Sequence, residues 1–184
     1  MAGKLFVVSG PSGVGKGTTC RELLKIYDDI KLSISATTRK IREGEVNGQH
    51  YFFKTDEEFD KIIKDDGFLE WAEFNGNRYG TLHCVVDKML HNDENVLLEI
   101  EVQGAMQVKE KAKDAIFIFI APPHAEDLLA RLYKRGTETE EQIQKRYAEA
   151  KRELALMGEY DYIIINKDIK TATNELKEII KNNK

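Results

Sequence analysis

Short apolar runs along the chain alternate with stretches that repeat at helical spacing. Lys4-Leu5-Phe6-Val7-Val8, Val96-Leu97-Leu98, Ile116-Phe117-Ile118-Phe119-Ile120 and Tyr162-Ile163-Ile164-Ile165 are apolar at nearly every position. Successive strand residues point to opposite faces, so such runs predict strands buried on both sides, as in a parallel sheet covered by helices. Lys31 to Ala36 alternates instead and predicts an edge or neighbouring strand. In Lys16 to Tyr27, Cys20, Leu23, Leu24 and Tyr27 share one helical face; in the last segment Ala172, Leu176, Ile179 and Ile180 do the same. Thr139-x-x-Gln142 has the form of a capping box and predicts a helix running to about Met157. Strand and helix in alternation predict an α/β fold with right-handed crossovers.

The middle of the chain breaks this rhythm. From about Thr37 to His91 come the short segments His50 to Lys54, Asp56 to Lys64 (helix-like), Phe68 to Phe74 and Arg78 to Gly80, separated by turns with glycine. This pattern predicts one domain whose core, residues 1–36 and 92–184, carries a mixed α+β insert at 37–91.

Composition narrows the class. With 184 residues, 41% apolar and 33% charged, the chain is long enough to bury a core and too rich in apolar residues to be disordered. A net charge of −4 argues against a general nucleic-acid or anionic-membrane surface. Cys20 and Cys84 form no CxxC pair, and neither a leader nor a membrane-length apolar run is evident, so a cytoplasmic location is expected. His50, His83, His91 and His124 lack metal-ligand spacing.

The chemistry begins after the first strand. Gly10-Pro11-Ser12-Gly13-Val14-Gly15-Lys16 fills seven positions of GxxxxGK[ST], directly between a predicted strand and a predicted helix. Glycines let backbone N–H groups close around oxyanions, the helix N-terminus adds positive potential, and Lys16 is placed to span β and γ phosphates. The segment from Gly10 to Thr18 is thus expected to cradle the phosphates of ATP. Gly17 stands where Ser or Thr usually meets Mg²⁺. The metal is therefore expected on phosphates and water, with Thr18 as the candidate hydroxyl.

Within the insert, Arg39 and Arg42 lie three residues apart and are expected to converge on one phosphate. Tyr51 and Tyr79 supply phenols that donate to phosphate or stack on a base. Glu70, in Phe68-Leu69-Glu70-Trp71, and Glu99, closing a core strand, are candidate ligands for the acceptor. Guanine offers N1–H and a 2-amino group side by side, which one carboxylate accepts together; adenine offers an acceptor there. Hydroxyls of Ser35 and Thr81 are candidate donors to guanine O6.

Six motifs in order, Gly10-Pro11-Ser12-Gly13, Ser35-x-x-Thr38-Arg39-x-x-Arg42, Gly44-Glu45-Val46-Asn47-Gly48, Phe68-x-Glu70-Trp71, Tyr79-Gly80 and Arg135-Gly136-Thr137-Glu138, resemble guanylate kinases over essentially the whole chain. The resemblance implies a P-loop-type parallel sheet, a GMP-binding insert and a helical lid at about residues 126–150. It implies GMP phosphate held by Arg39, Arg42, Tyr51 and Tyr79, guanine read by Ser35, Glu70 and Thr81, and Glu99 near the acceptor. Lys16, Arg39, Arg131, Arg135 and Arg146 would surround the phosphoryl group, and Asn166 would lie near adenine. The implied reaction is Mg²⁺-dependent transfer from ATP to GMP, with dGMP as a further acceptor and no obligatory protein partner. Thr81 and Glu101 depart from the family's usual Ser and Asp. Two rival classes are a kinase for another nucleoside monophosphate and a non-catalytic protein-binding module of the same fold.

Overall fold

A computed structural model describes residues 3–74, 76–135 and 139–184. In chain order the elements are β1 (Leu5–Ser9), α1 (Lys16–Ile26), β2 (Lys31–Leu32), β3 (Ala36–Thr37), β4 (Phe52–Phe53), α2 (Asp56–Lys64), β5 (Phe68–Phe74) and β6 (Asn77–Leu82). They continue with α3 (His83–His91), β7 (Val96–Glu99), α4 (Val102–Lys111), β8 (Ile116–Ala121), α5 (Ala125–Arg135), α6 (Glu140–Ala155), β9 (Tyr162–Ile165) and α7 (Ile169–Asn182).

Five strands pair in parallel in the order β2-β7-β1-β8-β9. The central strand β1 is buried along its whole length, as its unbroken apolar run predicts. Its two faces serve different cores. Phe6 and Val8 join Leu23 of α1 and Leu176 and Ile180 of α7, whereas Leu5 and Val7 join Val102, Ala105 and Val108 of α4. Helices on both faces of a parallel sheet confirm the α/β class.

A second, mixed sheet, β4-β3-β6-β5, has its own small core of Ala36, Phe59, Phe68 and Leu82. Helix α2 closes over it, started by a capping box in which Thr55 and Glu58 satisfy each other's backbone N–H groups. A capping box at Thr139 and Gln142 likewise opens α6, as the spacing predicts.

Two expectations are corrected, and one element was not foreseen. Lys31 to Ala36 is not one strand: β2 belongs to the parallel sheet and β3 to the mixed one, so this segment is where the chain passes between them. Strand β9 is an edge, with Ile164 buried and Ile163 45% exposed, because its apolar run is paired only with β8. Helix α4 went unpredicted, since Gly104 interrupts its sequence in the first turn and hides its helical period.

Candidate active site

The loop from Gly10 to Thr18 joins the C-terminal end of β1 to the N-terminus of α1. Gly15, at φ 98°, caps the helix in a left-handed conformation that other residues rarely adopt. It also admits a neighbour: Asn166, just past β9, donates from Nδ2 to the Val14 carbonyl at 2.7 Å. A Cβ on Gly15 would lie 2.6 Å from that nitrogen. The buried amide of Asn166 thus ties the loop to the sheet.

Lys16 is 8% exposed, and its ammonium donates to the Ile100 carbonyl at 3.0 Å and to Glu101 Oε1 at 3.1 Å. A cavity of about 250 Å³ opens beside it, lined by Ser12, Gly13, Thr18, Glu99 and Glu101 among others. Glu99, at the end of β7, fills the space beside Gly17, and burial raises its carboxyl pKa against the lowering charges of Lys16 and Arg21. The hydroxyl of Thr18 accepts from Arg21 at 3.3 Å.

Helix α6 reaches this loop twice. Arg146 donates to Ser12 Oγ, and Glu153 accepts from the Ser12 N–H. Burial, with the nearby charges of Glu101 and Glu149, pushes the Glu153 carboxyl up to about 7. The side chains of Arg131 and Arg135, and Gly136 with them, lie outside the described residues.

The mixed sheet gathers the acceptor candidates. Arg39 forks onto Glu45, with bonds of 2.7 and 3.0 Å, and the Arg42 N–H donates to the same carboxylate at 2.8 Å. Glu45 thus joins the Arg39 guanidinium to the Arg42 backbone, and its carboxyl is held down to about pKa 2 first by the Arg39 bonds. The sequence reading missed Glu45, although it falls in the Gly44 to Gly48 motif. The Arg39 guanidinium also lies 5.3 Å from the Tyr51 ring, which meets the Tyr79 ring edge-on at 6.1 Å. Burial raises the Tyr51 pKa, so this phenol stays a donor at neutral pH.

Glu70 is aimed by an irregularity in its own strand. Phe68 pairs with Leu82 and Glu70 with Thr81, so β5 has one residue more than β6 across this step. The bulge turns Leu69 into the main core and Glu70 into a buried position, 6% exposed. The Thr81 hydroxyl donates to Glu70 Oε1 at 2.7 Å and so supports the carboxylate. Burial raises the Glu70 pKa, opposed by the hydrogen bonds from Thr81. Ser35, half-buried, immediately precedes β3 in the same sheet.

A parallel sheet flanked by helices, with a strand, a glycine-rich Lys loop and a helix at its centre, defines the P-loop class of phosphate-binding proteins. The guanylate kinase family model matches residues 2–183. The chain belongs to that family. It is 51% identical over 178 residues to the guanylate kinase of Desulfitobacterium hafniense (strain Y51), covering 97% of this chain and 89% of that protein. It is 50% identical over 182 residues to that of Clostridioides difficile (strain 630), covering 99% and 89%. The crystal structure of guanylate kinase from Anaplasma phagocytophilum superposes with a TM-score of 0.76 at 31% identity, over 98% of this chain and 86% of that one.

Proposed function

We propose that this protein transfers the γ-phosphoryl group of ATP to GMP, giving ADP and GDP, and that it accepts dGMP as well. The observation that carries the reading is the buried carboxylate of Glu70, set by Thr81 in the mixed sheet that also carries Tyr79, with Arg39 just past β3 and Tyr51 just before β4. A buried carboxylate is costly unless something satisfies it, and the paired donors of a guanine edge do so. The names of the half-identical relatives support the same reaction.

Phosphoryl transfer asks a protein for positioning and charge more than for covalent chemistry. In this reading the amides of Gly13 to Thr18 hold the donor phosphates and Lys16 leaves Glu101 to bridge them. The fork of Arg39 exchanges Glu45 for the GMP phosphate, beside Arg42, Tyr51 and Tyr79. Ser35 and Glu70 read the base, Glu99 faces the acceptor, and Arg146, with Arg131 and Arg135, neutralises the transferred group. The core at 1–36 and 92–184, the insert at 37–91 and the lid at about 126–150 are the units that enclose both nucleotides against water.

Magnesium fits the oxygen-rich cavity beside Lys16, where Glu99, Glu101 and Thr18 offer hard donors. Among the described residues no group of three His, Cys, Asp or Glu could hold a metal; Thr18, Glu99 and Glu101 would hold the ion together with the nucleotide's phosphates and water. When bound, it neutralises charge developing on the phosphates. A role in cytoplasmic purine nucleotide metabolism follows from these substrates, with no nucleic-acid or membrane partner. No helix among the described residues is long and apolar enough to cross a membrane.

A coupled assay of ADP release with GMP, dGMP, AMP and UMP tests the proposal. Turnover with GMP and dGMP is expected. Turnover with AMP or UMP alone would identify another monophosphate kinase, and none with any acceptor would point to a binding module.

A further inference from the structure

Helix α4 lays one face along β5. At its end, Lys111 donates to the Phe68 carbonyl at 2.7 Å. One turn earlier, Gln107 accepts from the Trp71 N–H at 3.1 Å and donates to the Trp71 carbonyl at 3.0 Å. Gly104 is the next residue on this face, three before Gln107. A Cβ at Gly104 would lie 2.5 Å from Glu70 Oε2 and 3.1 Å from its Cδ. The helix backbone is therefore pressed against one oxygen of the carboxylate while Thr81 holds the other.

A glycine inside a helix is destabilising relative to alanine, so its presence here needs a reason. The atom that alanine would strike is neither backbone nor core but the far end of Glu70. The fold can yield at that point, at the expense of the orientation the carboxylate holds beside Thr81.

We propose that Gly104 is a positioning residue for base selection, its missing side chain leaving Glu70 in the orientation that accepts both N1–H and the 2-amino group of guanine. The inference rests on the reading of Glu70 as the base reader given above. Gln107 supports the arrangement by fixing α4 against the backbone of the adjacent Trp71.

Gly104→Ala tests this in the full chain. The expected result is a fall of about tenfold or more in kcat/KM for GMP, with KM for ATP within about twofold of wild type. The preference for GMP over inosine monophosphate, which lacks the 2-amino group, is expected to shrink. In a Glu70→Ala background the same substitution should cost nothing further and should raise Tm more than it does beside an intact Glu70. Unchanged GMP kinetics, equal losses for both nucleotides, or an equal loss with Glu70 already removed would overturn the proposal. A wild-type protein inactive with GMP would instead overturn the functional reading, and the Tm comparison would still decide whether Gly104 bears on Glu70.

Discussion

Glu99 Oε1 occupies the place that a side chain on residue 17 would need: a Cβ on Gly17 would lie 2.8 Å from it. In this chain the loop position that usually carries a hydroxyl has been given over to a carboxylate from β7. Gly17→Ser would restore the common loop sequence and displace Glu99. We expect kcat to fall on the order of 100-fold, the scale of a misplaced group at a reacting centre. Tm should change little, because the displaced atom is the end of a side chain. Steady-state kinetics at saturating ATP check this, and a Gly17→Ser variant with wild-type kcat would show that Glu99 has no part in the reaction.

Glu70→Ala should separate the two nucleotides. Hydrogen bonds to a charged group are worth about 1.5–3 kcal/mol each, so losing two should lower kcat/KM for GMP on the order of 100-fold or more. The KM for ATP should hold, since the loop's own contacts to Glu99 and Glu101 are untouched. Burial raises the Glu70 pKa, and the neutral acid keeps a proton where the base donates. GMP affinity should therefore weaken as pH falls, beginning above the usual carboxylate range. Parallel loss of ATP and GMP use would make Glu70 a structural residue.

Asn166→Ala removes the donor that ties Val14 to the edge strand. A drop of about 1–3 kcal/mol in stability is expected for a lost buried hydrogen bond, together with a raised KM for ATP as the loop loosens. Thermal melts and ATP titrations measure both. A change in ATP-versus-GTP preference at unaltered Tm would support the adenine role that the family resemblance implies.

Glu153 gives a pH signature. Its folded pKa is raised to about 7 from 4.5, by burial first and then by Glu101 and Glu149, with Lys16 and the Ser12 N–H opposing. A carboxyl that binds its proton more tightly when folded contributes stability below its unfolded pKa. That contribution is lost as pH rises through the folded value. Wild-type Tm should thus decline between pH 4.5 and 7 relative to Glu153→Gln, whose profile should be flatter. Calorimetry of both proteins across that range decides the matter; parallel curves would mean that Glu153 titrates as an ordinary surface acid.

The phosphate loop and the parallel sheet could be read from residue order, because both depend on local signals: glycine spacing, an apolar run, a capping box. What escaped depends on how side chains meet once the chain has folded. Glu45 is only six residues from Arg39, yet no pattern announces that its carboxylate will sit in the fork of that arginine. The bond from Thr81 to Glu70 was hidden because the two lie on neighbouring strands, across a bulge that no pattern announces. The tie from Asn166 to the Val14 carbonyl joins residues far apart in the chain, and no local signal marks it. Helix α4 was hidden by Gly104, the residue whose small size makes it useful.

The first turn of α4 touches both halves of the site. Glu101, its N-cap, is bonded to Lys16, and Gly104, three residues on, abuts Glu70. At 1.5 Å per residue that step is about 4.5 Å along the axis. It gauges the offset between the contact to Lys16 and the contact to Glu70. Rotation makes the gauge strict: one inserted residue between them would swing Gly104 about 100° around the helix. Length is therefore constrained here even where side chains are free to vary, and a sequence comparison blind to gaps would miss it.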